Sequence, residues 1–543
     1  LLTGAVFLAS AWRPYGRATD RIGGAEPVLG GRFRFPLLAR LGSLDPARAR
    51  NASDIMVSQQ IFDGLTTFDE HLNIVPALAR YWEISPDSRT YTFELRPDAR
   101  FHNGRPVTAE DCVFSLERLL TPGLNQDNYH YFSRIVGAED FRQGKTAQVE
   151  GLRALDRRTL EIRFATPFVP GLSVLSMYCS KILPKKELLE QGESFFEAPL
   201  GSGPFRFAGW LGGAPEADPA RARPPLGIRL EANPDYFQGR PYLDELVYQL
   251  PIAPPAAKET LSLQDLVDCI PLDVTDAPLA DWVAVESQQL IINYLVLPTA
   301  PPYDDPRVRR ALNYALDKRT FLNTRRQAAG AAPAGSIVPP GIPGFVPTKQ
   351  LYEHNLKKAR ALLAEAGHPE GKGIPPLEFV LDPLFSLEPS ERDCLEGCLT
   401  RVGVRVKWFK AALRVERDEP ALEKRPVVLG RGWVADFPDP DNILRPLFHS
   451  SSPANLSGYR NGEVDRMLDR AWSETSYSAR IKLYQQIEKR VLQDSPIIPL
   501  YYEQARVLVQ PDARGFFLSP LGLMYIKTSK IWLANQPHPK VRL

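Results

Sequence analysis

The 543-residue sequence has little sulfur, with four methionines and five cysteines. Cys112, Cys179, Cys269, Cys394 and Cys398 are odd in number and mostly scattered, so no disulfide framework can be read from them. Only Cys394 and Cys398 are close, four apart in "SERDCLEGCLTRVG", which reads as two residues on one helical face. A zinc site needs two more ligands at recognisable spacing. None is present, and the seven histidines contain no H-x-x-x-H pair. No metal or other cofactor is therefore expected. Catalytic signatures are missing too. There is no G-x-S-x-G, H-E-x-x-H or P-loop, and "LGSGPF" around Ser202 lacks the helix and lysine that would make it one. An enzyme is not expected. The formal net charge is only +2, with no basic run, which gives no case for nucleic acid. Internal repeats and low-complexity tracts are also absent.

What is present is ordinary globular chemistry on a large scale. Hydrophobic residues make up 44% and charged residues 24%, and the length calls for three or four domains. The 51 prolines sit largely in connectors such as "IAPPAA" and "SIVPPGIPGFVP", which suits many extended loops better than a helical bundle. At the start, "LLTGAVFLASA" is an apolar run of signal-peptide length, and Ala9-Ser10-Ala11 resembles a cleavage site. It reads as an export signal, the alternative being the tail of a membrane anchor. No other segment approaches the ~20 apolar residues a bilayer span requires.

Strand and helix patterns alternate without forming regular βαβ repeats. In "YTFELRPDARFHNGRPVTAEDCVFSLERLL", Tyr91, Phe93 and Leu95 alternate with polar residues as a half-buried strand. Pro97 ends it. Asn103-Gly104 makes a turn, and Thr108 with Asp111 resembles a capping box opening a helix. "GSGPFRFAGW" and "IRLEANPDYF" read as a hairpin. "PYDDPRVRRALNYALDKRTFLNT" is a turn into an amphipathic helix, and "NLKKARALLAEAG" is a helix ended by Gly367.

The most unusual local chemistry is "GWVADFPDPDN", Trp433 to Asn442, where Asp436, Asp439 and Asp441 crowd onto a proline-broken loop after the strand "PVVLGRGWV". A solvated turn, with Asp441-Asn442 capping the next helix, accounts for Asp439 and Asp441. Asp436 follows an apolar strand directly and is the candidate for a partly buried carboxylate, which wants a cationic partner. The glycine and spacing of a calcium loop are missing.

Several of these segments, in order from about residue 32 to 510, resemble the extracytoplasmic solute-binding proteins of family 5, the peptide- and nickel-type binding components of ABC importers. They are "SLDPARARNASDIMVSQQIFDGLTTFD", the stretch around "FHNGRPVTAEDCVFSLERL", "GSGPFRFAGW", "LEANPDYFQGRPYLDELVYQL", "DDPRVRRALNYALDKRTF", "GWVADFPDPDN" and the run from Asn461 to Tyr502. Ser202 stands where threonine is commoner.

The resemblance implies an α/β, two-lobed periplasmic-binding-protein fold of the class II type with an additional small α+β domain. One lobe would comprise 25–57, 197–290 and 503–543, the second lobe 291–502 and the extra domain 58–196, after a signal-like segment and linker at 1–24. The strands "SQQLIINYLVLP" and "IIPLYYEQ" would act as hinges around an interlobe cleft. It further implies a monomer that captures oligopeptides or dipeptides outside the cytoplasm and delivers them to a membrane permease. A nickel chelate, haem, an opine or an oligosaccharide are the alternatives within the fold; a secreted hydrolase or a sensor protein lies further off. By the same resemblance Asp436 would meet the α-ammonium of a peptide, and Gly432 and Val434 would pair with its backbone. Trp433 would be core or pocket, and Tyr501 or Tyr502 would reach the cleft. Arg431 shares the face of Trp433, so the cation for a ligand carboxylate is unassigned. The first cysteine is Cys112, so a lipid anchor is not supported.

Overall fold

The computed structural model describes residues 26–125, 128–212, 225–250, 263–271, 281–299, 301–325, 330–347, 351–381, 387–410 and 427–535. The signal-like segment at 1–24 lies outside the described residues. Two long strands organise the molecule. Val283–Val296 and Ile497–Val509 run antiparallel along each other, from Val283 opposite Val509 to Val296 opposite Ile497, with a register break between Gln288 and Ile292. Both belong to a seven-stranded sheet that also holds Cys269–Pro271, Ala332–Pro333, Leu377–Leu381, Val406–Lys410 and Val427–Val434.

The apolar residues of these two strands feed different cores. Val285, Val507 and Val509 pack with Phe33, Phe35, Ile228, Leu230 and Leu246, the inward residues of a four-stranded sheet made by Arg32–Pro36, Glu245–Gln249, Gly227–Ala232 and Phe205–Leu211. Leu290, Ile292, Leu500, Tyr501 and Tyr502 pack instead with the helices of the second half. The change of core falls between Val285 and Leu290 on one strand and between Tyr502 and Val507 on the other, beside the register break. The last two strands of the four-stranded sheet are the expected hairpin, with Phe205 opposite Ala232 and Leu211 opposite Gly227.

A second four-stranded sheet, Ala79–Ile84, Thr90–Leu95, Thr159–Arg163 and Leu152–Ala154, carries the opening motif. Tyr91, Phe93 and Leu95 are buried and the residues between them half-buried, as the alternation requires. The helix Ala109–Arg118 begins with a complete capping box: Asp111 Oδ2 accepts from Thr108 N at 2.9 Å, and Thr108 Oγ1 accepts from Asp111 N. Asparate thus does the work usually given to glutamate. The elbow before it docks on the glycine motif of the hairpin, with His102 N donating to Gly201 O and the His102 ring reaching Gly203 O at 3.0 Å. Burial depresses the His102 pKa to about 4, so at neutral pH the ring is an uncharged linker.

In the second half, Pro306 at the first turn and Asp305 as N-cap open the helix Pro306–Ala315. The helix Leu356–Glu365 is followed by Gly367 at φ +89°. Cys394 and Cys398 lie on the helix Pro389–Thr400, the first half-buried and the second buried.

Candidate functional site

The strand Val427–Val434 ends in the loop that bears the three aspartates. Trp433 is opposite Ile292 and Val434 opposite Ile291 in the ladder with Val283–Val296. Ala435 N donates to Leu290 O, so the odd-numbered residues spend their backbone groups on this neighbour. The backbone groups of Gly432 and Val434 therefore point to the other edge. There the parallel neighbour Leu377–Leu381 pairs only with Val427 to Leu429, and among the described residues no strand continues alongside Gly430 to Val434. Val434 is accordingly 40% exposed, large for a valine in a sheet. Gly432 faces Asn293, whose Oδ1 would lie 3.1 Å from an added Cβ.

Asp436 is half-buried where this edge ends. Its N–H donates to Asn442 Oδ1 at 2.8 Å, and its carbonyl accepts from the Tyr525 hydroxyl at 3.3 Å. Asn442 Nδ2 donates to the Tyr131 hydroxyl. Burial pushes the Tyr131, Tyr178 and Tyr525 hydroxyls well up from the usual phenol range, and the Asp436 carboxylate adds to each shift. The carboxylate thus sits among neutral phenols.

Asp439 and Asp441 depart from the solvated turn expected of them. Asp439 takes a two-point ion pair from Arg480, and Asp441 is fully buried, accepting from Arg445, Trp472 and Tyr484. Asn442 does not cap its own helix but holds Asp436. The reason is packing: the whole helix Asp441–Phe448 is buried, so its first carboxylate is drawn inside and must be neutralised there.

Trp433 and Asp436 line a cavity of about 470 Å³, whose other walls include Tyr131, Arg134, Tyr178, Arg445 and Trp472. Its walls come from within 58–196 and 291–502, with Tyr525 bonded to the lining residues Asp436 and Tyr178; the expected cleft lay between the two large lobes. Trp433 Nε1 is buried there without a hydrogen-bond partner. Arg431 is half-buried, as is Trp433 two residues on, and its Nη1 donates to Gly430 O. Tyr501 and Tyr502 do not line this cavity. Tyr501 is buried beside Phe321 under the Arg325 guanidinium, and the Tyr502 hydroxyl is held by Ser336. No motif in the sequence singles out Arg134, Arg445 or Trp472. Arg445 had left a trace, as an arginine inside the apolar run "NILRPLF".

The family model for bacterial extracellular solute-binding proteins, family 5, middle region, matches residues 73–455. The chain belongs to this family. As a family 5 protein it works outside the cytoplasm, and its two-lobed α/β fold is that of its solved relatives. Heme-binding protein A of Haemophilus influenzae is 29% identical over 496 residues, covering 86% of each chain. The probable di/tripeptide-binding protein 5 of Pseudomonas aeruginosa is 29% identical over 484 residues, covering 83% of this chain and 85% of that one. Among solved structures, the ABC transporter-associated periplasmic binding protein DppA from Helicobacter pylori, in complex with the peptide STSA, superposes with a TM-score of 0.74 at 26% identity. The match covers 94% of this chain and 99% of that one.

Proposed function

We propose that this family 5 protein captures short peptides and hands them to an ABC permease, binding them without chemical change. The observation that carries the reading is the edge at Gly432 and Val434, alongside which no strand runs among the described residues, leading up to the Asp436 carboxylate. A peptide is the ligand that such an edge suits. Its own N–H and C=O groups complete the ladder irrespective of side chains, and its terminal ammonium neutralises a half-buried carboxylate. Trp433, on the opposite face of the strand, supplies an aromatic wall for the first residues. The di/tripeptide-binding relative and the peptide-bound DppA structure support the same class.

Transport then follows from differential affinity. A ligand held between the walls from 58–196 and those from 291–502 stabilises the form closed on it over the open one. The two long strands, with their register break between Gln288 and Ile292, are the segment about which the lobes would turn.

Native mass spectrometry of the purified chain, followed by denaturation and sequencing of what is released, tests the reading. A ladder of short peptides is the expected result. A single non-peptide mass, such as a haem or a nickel chelate, overturns it.

A further inference from the structure

We propose that Arg134 and Arg445 form an anion-receiving corner of this cavity, and that the captured ligand places a carboxylate there. The inference rests on the peptide reading above and names a ligand group which that reading leaves open.

Both guanidiniums stack on Trp472, each with Cζ 3.5 Å from a ring centre. The indole is itself fixed, its Nε1 donating to the buried Asp441. Arg445 is 5% exposed. Its Nε donates to Asp441 Oδ1 at 3.2 Å and its Nη1 to Asp469 Oδ1 at 3.0 Å, which leaves Nη2 buried with no acceptor. Arg134 gives Nη1 to Thr166 Oγ1 at 2.9 Å, while its Nε is likewise buried without an acceptor. Among the described residues no carboxylate lies within ion-pair distance of Arg134.

Charge accounting points the same way. Asp441 and Asp469 are the acids nearest this corner, and both are engaged by Arg445. Asp436 lies on the cavity wall with the adjoining strand, and His130, His449, Tyr131 and Tyr178 complete the titratable lining. His449 Nε2 is itself 3.5 Å from Asp469 Oδ1. Burial, then the neighbouring Arg445, pulls the Arg134 pKa down to about 10, the response of a cation short of compensation.

A buried donor without an acceptor is costly, and a planar carboxylate satisfies guanidinium N–H groups with charge assistance. Two sources are chemically equivalent here: the C-terminus of a short peptide whose ammonium is at Asp436, or an acidic side chain near its N-terminus.

Isothermal titration of the full chain separates them. The probes are Ala-Ala and Ala-Ala-Ala as free acids and as C-terminal amides, together with the amides of Glu-Ala and Gln-Ala. If the C-terminus is the source, the acids bind about 10-fold or more tighter than their amides. If a side chain is the source, Glu-Ala amide beats Gln-Ala amide by a similar margin. In either case Arg134→Gln reduces the preference to below about threefold, and Arg445→Lys lowers it in the same direction. A merely structural arginine would weaken all probes alike and leave the ratio intact. Arg134 carries the test because Arg445 also holds Asp441, and its variant is the more exposed to misfolding. Peptide binding without either preference, or a preference that survives Arg134→Gln, overturns the anion corner while the peptide reading stands. Failure of every peptide to bind, with none co-purifying, overturns both.

Discussion

Arg480 grips both carboxylate oxygens of Asp439, at 2.7 and 2.8 Å, across a gap of 41 residues. The pair ties the helix Tyr477–Asp494 to the loop that presents Asp436. Burial pulls the Arg480 pKa down, but Asp439 outweighs it and holds the guanidinium above its usual range. Breaking one side strands the other charge in a nearly dry site. Arg480→Met is expected to cost about 3–5 kcal/mol of stability in urea unfolding. A loss below about 1 kcal/mol would mean that the pair is solvated and does not hold the loop.

Asp436→Ala should separate binding from folding. The backbone N–H of residue 436 keeps its bond to Asn442, and the side-chain bond that is lost, from Asn442 Nδ2 to Asp436 Oδ2, is long at 3.4 Å, so the melting temperature of the unliganded protein is expected to change little. Affinity for a short peptide with a free N-terminus should fall by about 30-fold or more, the cost of removing one member of a desolvated charge pair. The same peptide N-acetylated should bind both proteins weakly and alike. Unaltered affinity in Asp436→Ala would remove this residue from the site.

How far the sequence already disclosed this arrangement differs from residue to residue. Strands with one buried face, such as Thr90–Leu95, and the capping box at Thr108 and Asp111 were legible because the relevant interactions are local in sequence. Asp436 was singled out by its position after an apolar strand. The burial of Asp441 leaves no local trace: Arg445, its neutralising partner, is only four residues on, but Trp472 and Tyr484, which enclose it, lie 31 and 43 residues away. The cavity wall is hidden for the same reason: Arg134 and Arg445 come from distant parts of the chain and are brought together on Trp472. The strand alone points to Tyr501 or Tyr502 as reaching the cleft, but which face each shows depends on the packing of Phe321 and Ser336 against them.

The glycine motif before Pro204 predicts a sharp contrast between two substitutions. A Cβ on Gly201 would lie 1.8 Å from Ile61 O, a backbone atom that cannot swing away. Gly201→Ala is therefore expected to lose about 4 kcal/mol or more, read as loss of soluble protein or a collapse of the melting temperature. Gly397, inside the helix Pro389–Thr400, has nothing within 4 Å of the added carbon. Gly397→Ala should instead raise stability by about 1 kcal/mol, because alanine restricts the unfolded chain and favours helix. Equal effects of the two variants would contradict the close approach of Gly201 to Ile61.

Lys318 gives the stability of the fold a pH dependence of predictable sign. Its ammonium is buried and donates to Ala334 O at 2.8 Å, and burial alone depresses its pKa to about 7. In the unfolded chain the lysine keeps its ordinary value near 10.4. Between these two values the unfolded chain holds a proton that the folded chain has released, so stability rises with pH from about 7 to 10 and is lowest on the acid side of that window. The steepest slope that one such group can contribute is about 1.4 kcal/mol per pH unit. Lys318→Met should remove this slope and be the more stable protein at pH 7, although the Ala334 carbonyl loses a donor worth about 1 kcal/mol. Urea unfolding of both proteins at pH 7 and at pH 9.5 measures the difference. Parallel stability in the two would show that the Lys318 ammonium remains charged and compensated in the fold.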